Sequence, residues 1–217
     1  LQLAEKIERL GSSISASASD DFTIIGASSL SLYSSEILGL MAEVVLRPKF
    51  PENELDLYRR NTVEHLKFQR SQPGFLANEQ AARLVYGKHP YSLVAPSAKD
   101  IEKLDRETLT RFHASKLVPN NAMLIVVGDV KRDEFLTELN ESLGDWQQGS
   151  VAAAKFTEPP TRSSRTLTIV DRPDSAQSNI VLTNLGIKRT DPDYFPLIVM
   201  NQVLGAGASS RVFMNLR

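Results

Sequence analysis

"SSISASASDDFTIIGASSLSL", residues 12–32, decides the fold. Ile14, Ala16 and Ala18 alternate with serines, and Phe22 and Ile24 continue a period of two. Asp20-Asp21 interrupts the alternation with turn-forming residues, so two strands joined by a turn are expected. Strands joined by so short a connection pair antiparallel, because a parallel pair needs a crossover of a dozen residues or more.

Helical patterns flank this hairpin. Leu3, Ile7 and Leu10 share one face of a first helix, which Gly11 stops. "YSSEILGLMAEVVLRPKF" (33–50) is helical, with Ile37, Leu40, Met41, Val44 and Val45 as its buried stripe and Pro48 as its end. Pro51 opens a long helix whose Glu52, Glu54 and Asp56 sit near its positive end, and which runs to about Arg70. "FLANEQAARLVYG" (75–87) is a further helix and "KHPYSLVAPS" (88–97) a loop. "DRETLTRFHASKL" (105–117) is a helix with Asp105 as N-cap. "NAMLIVVGDV" (121–130) reads as a strand buried on both faces, and "KRDEFLTELNESLGDW" (131–146) returns to helix.

"QQGSVAAAKFTEPPTRSSR" (147–165) has no period and contains Pro159-Pro160, so it reads as a linker. "RTLTIVDRP" and "AQSNIVLTNLG" then read as strands, and "DPDYFPLIVMNQVLG" and "SSRVFMNLR" as helices separated by "GAGA". The expected fold class is α+β, with a mostly antiparallel sheet packed by helices on one side. Two strands and a helix after the linker echo residues 12–46, which implies a second copy of the same domain. The expected division is a first domain at 1–146 lacking its N-terminal part, a linker at 147–164, and the start of a second domain at 165–217. Both ends fall inside helical patterns, so the chain is expected to be a piece of a longer protein.

Composition excludes several functions. The formal net charge is -1 and no basic run is interleaved with aromatics, which argues against nucleic-acid binding. There is no cysteine, so disulfides, thiolate metal sites and cysteine nucleophiles are excluded. No apolar run is long enough for a membrane span.

The chain resembles the pitrilysin/insulinase family of zinc metallopeptidases, in the branch of the mitochondrial processing peptidase and its bacterial relatives. The segments that carry the resemblance are "LAEKIERLGSSISASASDDFT", "LRPKFPENELDLYR", "YGKHPYSLVAPSAKDIEKLDRETLTRFHASKLVPNNAMLIVVGDV" and "IKRTDPDYFPLIVMNQVLGAGASSRVF", in that order. The resemblance implies repeated α+β domains that enclose a chamber for unfolded peptides. It implies zinc held by two histidines of an inverted His-x-x-Glu-His motif and by a glutamate on a later helix, with the motif's glutamate activating the bound water. The motif itself does not occur in this sequence, and the family spacing would put it before Leu1.

Laid along the family pattern, the helix from 52 to 70 puts His65 at the third-ligand position. Tyr58 stands where a supporting carboxylate is implied, about two turns earlier on the same face. His65 could itself complete a zinc site, since imidazole is a good zinc ligand. Glu64 could do so only after turning about 100° around the helix. The third alternative is that His65 is a polar residue facing a former site. His89 is expected to structure its loop, and His113 to be half-buried on its helix.

The resemblance also places substrate as an added strand on a sheet edge, matched here by Ser15, Ala16, Ser17 and Ala18. Their small side chains would admit another backbone, or would simply fill a tight strand. "LGAGASSR" lacks the lysine of a phosphate loop, and Asp191-Pro192-Asp193 reads as a helix start.

The expected function is a catalytically inactive peptidase-family subunit that binds extended peptides and supports a zinc-bearing partner. Alternatives are an active zinc metalloendopeptidase whose motif lies upstream and a structural scaffold subunit. No cofactor is expected in this chain, zinc being the family's metal. A homo- or hetero-oligomer with a related peptidase subunit is expected, in the periplasm or cytoplasm of a bacterium.

Overall fold

The computed structural model describes residues 2–173 and 175–216. Leu1 and Arg217, which open and close the two expected terminal helices, lie outside that range. The described residues form two compact units, one through Asn179 and one from Ile180 onward.

In the first unit, α1 (Gln2–Arg9) is closed by Gly11, whose φ of 56° is the left-handed geometry that glycine adopts without strain. Strands β1 (Ser13–Ala18) and β2 (Thr23–Ser28) pair antiparallel, from Ser13 opposite Ser28 to Ala18 opposite Thr23. The turn falls at Asp20-Asp21 as expected. Ser19 N–H donates to Phe22 O at 2.8 Å, and Phe22 N–H donates to the Ser19 hydroxyl at 3.1 Å.

Helix α2 (Ser34–Leu46) packs between β2 on one side and α7 (Arg132–Leu143) on another. Its buried residues are Ile37, Leu38, Ala42 and Val45. Leu40, Met41 and Val44 of the expected stripe are only half-buried. The expectation assumed one covered face, whereas a helix with neighbours on two sides buries a different set of residues.

The chain turns from α2 into α3 (Glu52–Arg70) through Phe50, which has a φ of 43° ahead of Pro51. This conformation is uncommon for a residue with a Cβ. His113 braces the corner: its Nε2 lies 2.7 Å from Val45 O, and its ring meets Phe50 edge-on at 6.2 Å. Helix α4 (Pro73–Tyr86) starts on a proline and ends at Gly87. Glu79 on α4 is only 7% exposed. It receives Arg70 at 3.0 Å and Arg83 at 3.3 Å, and Arg70 also donates to Pro96 O at 3.1 Å. The carboxylate therefore ties α3, α4 and the following loop at one point.

Helix α5 (Ala98–Glu102) was not expected, although Ser97 and Asp100 form a capping box that marks its start. Arg59 on α3 reaches across to donate to Leu104 O at 2.5 Å, while also pairing with Asp56 and Glu52. Helix α6 (Arg106–Lys116) begins on Asp105, whose carboxylate accepts from Thr108 N–H at 2.7 Å.

The sheet is smaller than expected. Among the described residues it has only β1 and β2. "NAMLIVVGDV" forms no strand and is not buried: Ile125 is 75% exposed and Val127 91%. "RTLTIVDRP" and "AQSNIVLTNLG" likewise form no ladder, and Leu167 and Leu182 are exposed. An apolar pattern alone does not make a strand, which also requires a neighbouring backbone to bond to.

Residues 147–164 hold no helix or strand, yet they are fastened along the first unit. Asn120 exchanges two hydrogen bonds with Gly149, at 2.8 and 3.0 Å, and so acts as a second peptide group. A Cβ on Gly149 would fall 2.7 Å from Val118 Cγ1, so the close approach needs glycine. Trp146 Nε1 donates to Leu117 O at 3.2 Å, and Arg162 donates to Leu84 O at 2.6 Å.

In the second unit, α8 (Tyr194–Leu204) follows an Asp191–Asp193 turn in which Asp193 N–H donates to the Asp191 carboxylate at 2.9 Å. This is the helix start expected there. Ser210, 3% exposed, lies just before α9 (Arg211–Leu216), and its hydroxyl accepts from Phe213 N–H at 3.4 Å.

Candidate functional site

Two surfaces carry the residues singled out from the sequence. The first is a face of α3. Tyr58 and His65 are seven positions apart, which is about 20° short of two full turns, so they share that face. Asn61 and Phe68, three residues on from Tyr58 and His65, flank that face. Tyr58 is 55% exposed and Phe68 63%, and His65 is exposed between them.

Glu64 points around the helix and is ion-paired to Lys67 at 2.6 Å. That carboxylate holds the Lys67 ammonium above its usual range. The Glu64 carboxylate, next to His65 in sequence, is therefore engaged by Lys67. Among the described residues, no group of three or more histidine, aspartate or glutamate side chains converges to hold a metal. His65 and Glu64 alone do not make the donor set that a tetrahedral zinc site requires.

The second surface is the hairpin. β2 occupies one edge of β1, and no strand pairs with the other among the described residues. Ser15, Ala16, Ser17 and Ala18 are exposed along it. Ser13 and Ser28 close the base of the hairpin through hydroxyls 2.8 Å apart.

The loop after α4 meets the tip. Its "HPY" stretch forms a 3-10 turn, Pro90–Ser92, capped by His89, whose Nδ1 accepts from Tyr91 N–H at 3.2 Å. The expectation that His89 structures this loop is thereby given an atom. Tyr91 then donates its hydroxyl to Asp21 Oδ1 at 2.6 Å. No local spacing in the sequence reveals Tyr91, because its partner Asp21 lies 70 residues away.

A shallow cavity of about 480 Å³ beside α3 is lined by Asp56, Arg59, Arg60, Val63 and Glu102. Its central Arg59 is already bound to Leu104 O and two carboxylates. No nucleophile or acid–base pair faces it.

Comparison with known proteins accounts for nearly the whole length. Residues 1–93 match the family described as insulinase (peptidase family M16), and residues 103–217 match the one described as the peptidase M16 inactive domain. An uncharacterized zinc protease of Bacillus subtilis is 22% identical over 217 residues, covering 100% of this chain and 52% of its own length. A non-peptidase homolog of Helicobacter pylori is 24% identical over 216 residues, covering 99% and 49%.

A crystal structure of a peptidase M16 inactive domain from Pseudomonas fluorescens superposes with a TM-score of 0.80 at 27% identity, covering 99% of this chain and 52% of that one. A protease from Helicobacter pylori shares the fold with a TM-score of 0.79 at 20% identity, covering 99% and 53%. The chain thus spans about half the length of the curated relatives it matches. With both of its parts matched to that family, the chain belongs to the insulinase, or M16, peptidase family.

Proposed function

We propose that this chain is part of a non-catalytic subunit of the family, which binds extended peptides and supports a zinc-bearing partner. The observation that carries the reading is the exposed face of α3. Laid along the family pattern, its His65 falls at the third-ligand position and Tyr58 two turns before it, and neither is a carboxylate. A glutamate ligand supplies negative charge that balances the cation, and a supporting carboxylate tunes it. Tyrosine and an exposed imidazole supply neither.

Peptide binding rests on the open edge of β1. Main-chain groups there are free to extend the ladder, and the small side chains of Ser15–Ala18 let a second backbone come close. A second copy of the domain after the 147–164 linker belongs to the same reading, and rests on the two strand-like runs and the helical pattern that follow it in the sequence.

The relatives divide on catalysis. One is named a zinc protease and another a non-peptidase homolog. The competing reading is an active metallopeptidase in which His65 replaces the glutamate. Metal analysis of the dialysed full-length protein separates them. The proposal expects zinc well below one equivalent, unchanged by His65→Ala. One equivalent of zinc, lost on that substitution, would sink it. Cleavage of a peptide by the protein mixed with a zinc-bearing relative, and by neither alone, is the outcome expected for the supporting role.

A further inference from the structure

A two-stranded hairpin is marginally stable by itself in water. Here β1 leans on α1 and β2 on α2. The tip projects, with Phe22 69% exposed. The long-range side-chain hydrogen bond made at this tip is Tyr91 to Asp21, at 2.6 Å. Its acceptor is a carboxylate, which makes it stronger than a neutral pair.

Tyr91 is held to that task from behind. Its ring meets His89 edge-on at 4.6 Å and Tyr86 edge-on at 5.6 Å. Tyr86 also lies 6.0 Å from His89, and Phe156 meets His89 at 5.4 Å. His89 accepts from the Tyr91 amide, which sets the backbone from which the ring springs. Four aromatic rings from three chain segments therefore aim one hydroxyl at the hairpin turn. The bonded Asp21 carboxylate pushes the Tyr91 phenol above its usual range, so the hydroxyl keeps its proton.

We propose that Tyr91 and Asp21 form a latch that holds the β1–β2 hairpin at a fixed inclination, so that the open edge of β1 is preorganised for an extended peptide. Tyr91, Asp21 and His89 are positioning residues: they act through the strand and not by touching the peptide. The inference rests on the peptide-binding reading above and adds the means by which the edge is presented. Preorganisation raises affinity by removing the ordering cost that a swinging strand would meet at the moment of binding.

The test uses the full-length protein and three variants. Tyr91→Phe removes only the hydroxyl and keeps the ring packing. Asp21→Asn keeps an acceptor oxygen but removes its charge. Tyr86→Phe is the control, since its ring and not its hydroxyl is used. Hydrogen exchange of residues 13–28 is followed by mass spectrometry, together with binding of a short labelled unstructured peptide of alternating apolar and polar residues. In Tyr91→Phe, exchange in the hairpin is expected to rise about fivefold, with a similar loss of peptide affinity carried by faster dissociation. Asp21→Asn falls between it and wild type, Tyr86→Phe matches wild type, and the thermal midpoint of the body stays within about 2 °C.

Unchanged exchange in Tyr91→Phe overturns the latch. Faster exchange with unchanged affinity overturns the positioning role, since a bond that only stabilised the hairpin would give that result. Failure of the wild type to bind peptide overturns the reading on which the inference rests, while the exchange measurement still decides the latch.

Discussion

Helix α2 and residues 122–130 are both long apolar runs, and they end in opposite environments. In α2, Leu38 is 4% exposed and Ala42 2%. In 122–130, Met123 is 84% exposed and Val127 91%. Hydrophobicity does not separate them. Backbone hydrogen bonding does. A helix closes its bonds within itself, so it needs only side-chain cover, which β2 and α7 supply. An extended run must find its partners elsewhere in the fold. The backbone bond recorded within this run is the local one from Val130 N–H to Gly128 O.

The comparison can be broken most directly by truncation. Leu38→Ala should cost about 3 kcal/mol in urea unfolding, because the cavity opens in a packed helix face. A comparable cost for Val127→Ala would mean that 122–130 is covered in solution, and the contrast would fail. Next in size is Glu79→Gln, which leaves Arg70 and Arg83 without their carboxylate at the α3–α4 junction. The two guanidinium groups are partly solvated, so the loss is expected at about 2 kcal/mol by the same measurement, below that of a fully buried pair.

Acid should act on caps and spare α2. The Asp105 carboxyl lies below its usual range because Thr108 N–H donates to it, and Asp100 lies below because the Ser97 hydroxyl and then the Ser97 N–H donate to it. Both are therefore stabilising above the ordinary carboxylate pKa, and that contribution is lost as pH falls through their lowered values. The protection factor of the Thr108 amide, its exchange relative to the intrinsic rate at each pH, should fall over this acidic range in wild type and stay flat in Asp105→Asn. Equal pH dependence in the two proteins would remove the cap from the account. The smallest effect belongs to Val127→Thr, expected within about 0.5 kcal/mol of wild type. A larger shift would again point to cover over 122–130.

Much of the helical framework was legible because its signals are local. Pro51, Gly87 and Asp105 each act on the residues beside them, and the start of α3, the end of α4 and the start of α6 fall where those residues put them, while α4 starts two residues ahead of the expected 75, on Pro73. The hairpin was legible for the same reason, through its alternation and its Asp20-Asp21 turn. The later strands were misread because pairing is a property of two segments and the sequence shows only one at a time. The candidate site divides likewise. His65 and Tyr58 could be placed from helical spacing, and β1 from alternation. The bond from Tyr91 to Asp21, and that from His113 to Val45 O, join distant parts of the chain and left no trace in local pattern. Helix α5 is a different case, since its Ser97–Asp100 box stood in the sequence and was overlooked.

The fastened segment from 147 to 164 has a consequence for reach. A free chain of that length would let whatever follows it explore a sphere with a root-mean-square extent of about 23 Å. Here Gly149 is bonded to Asn120, Phe156 meets His89, Pro160 lies against Gly87, and Arg162 is bonded to Leu84. The longest unfastened run between these points, from 150 to 155, would span about 13 Å by the same scaling. The segment therefore follows the first unit as far as Arg162, and that unit itself continues to Asn179. Lengthening the segment by inserting residues before Gly149 should therefore bulge locally and leave the contacts from Phe156 to Arg162 in place.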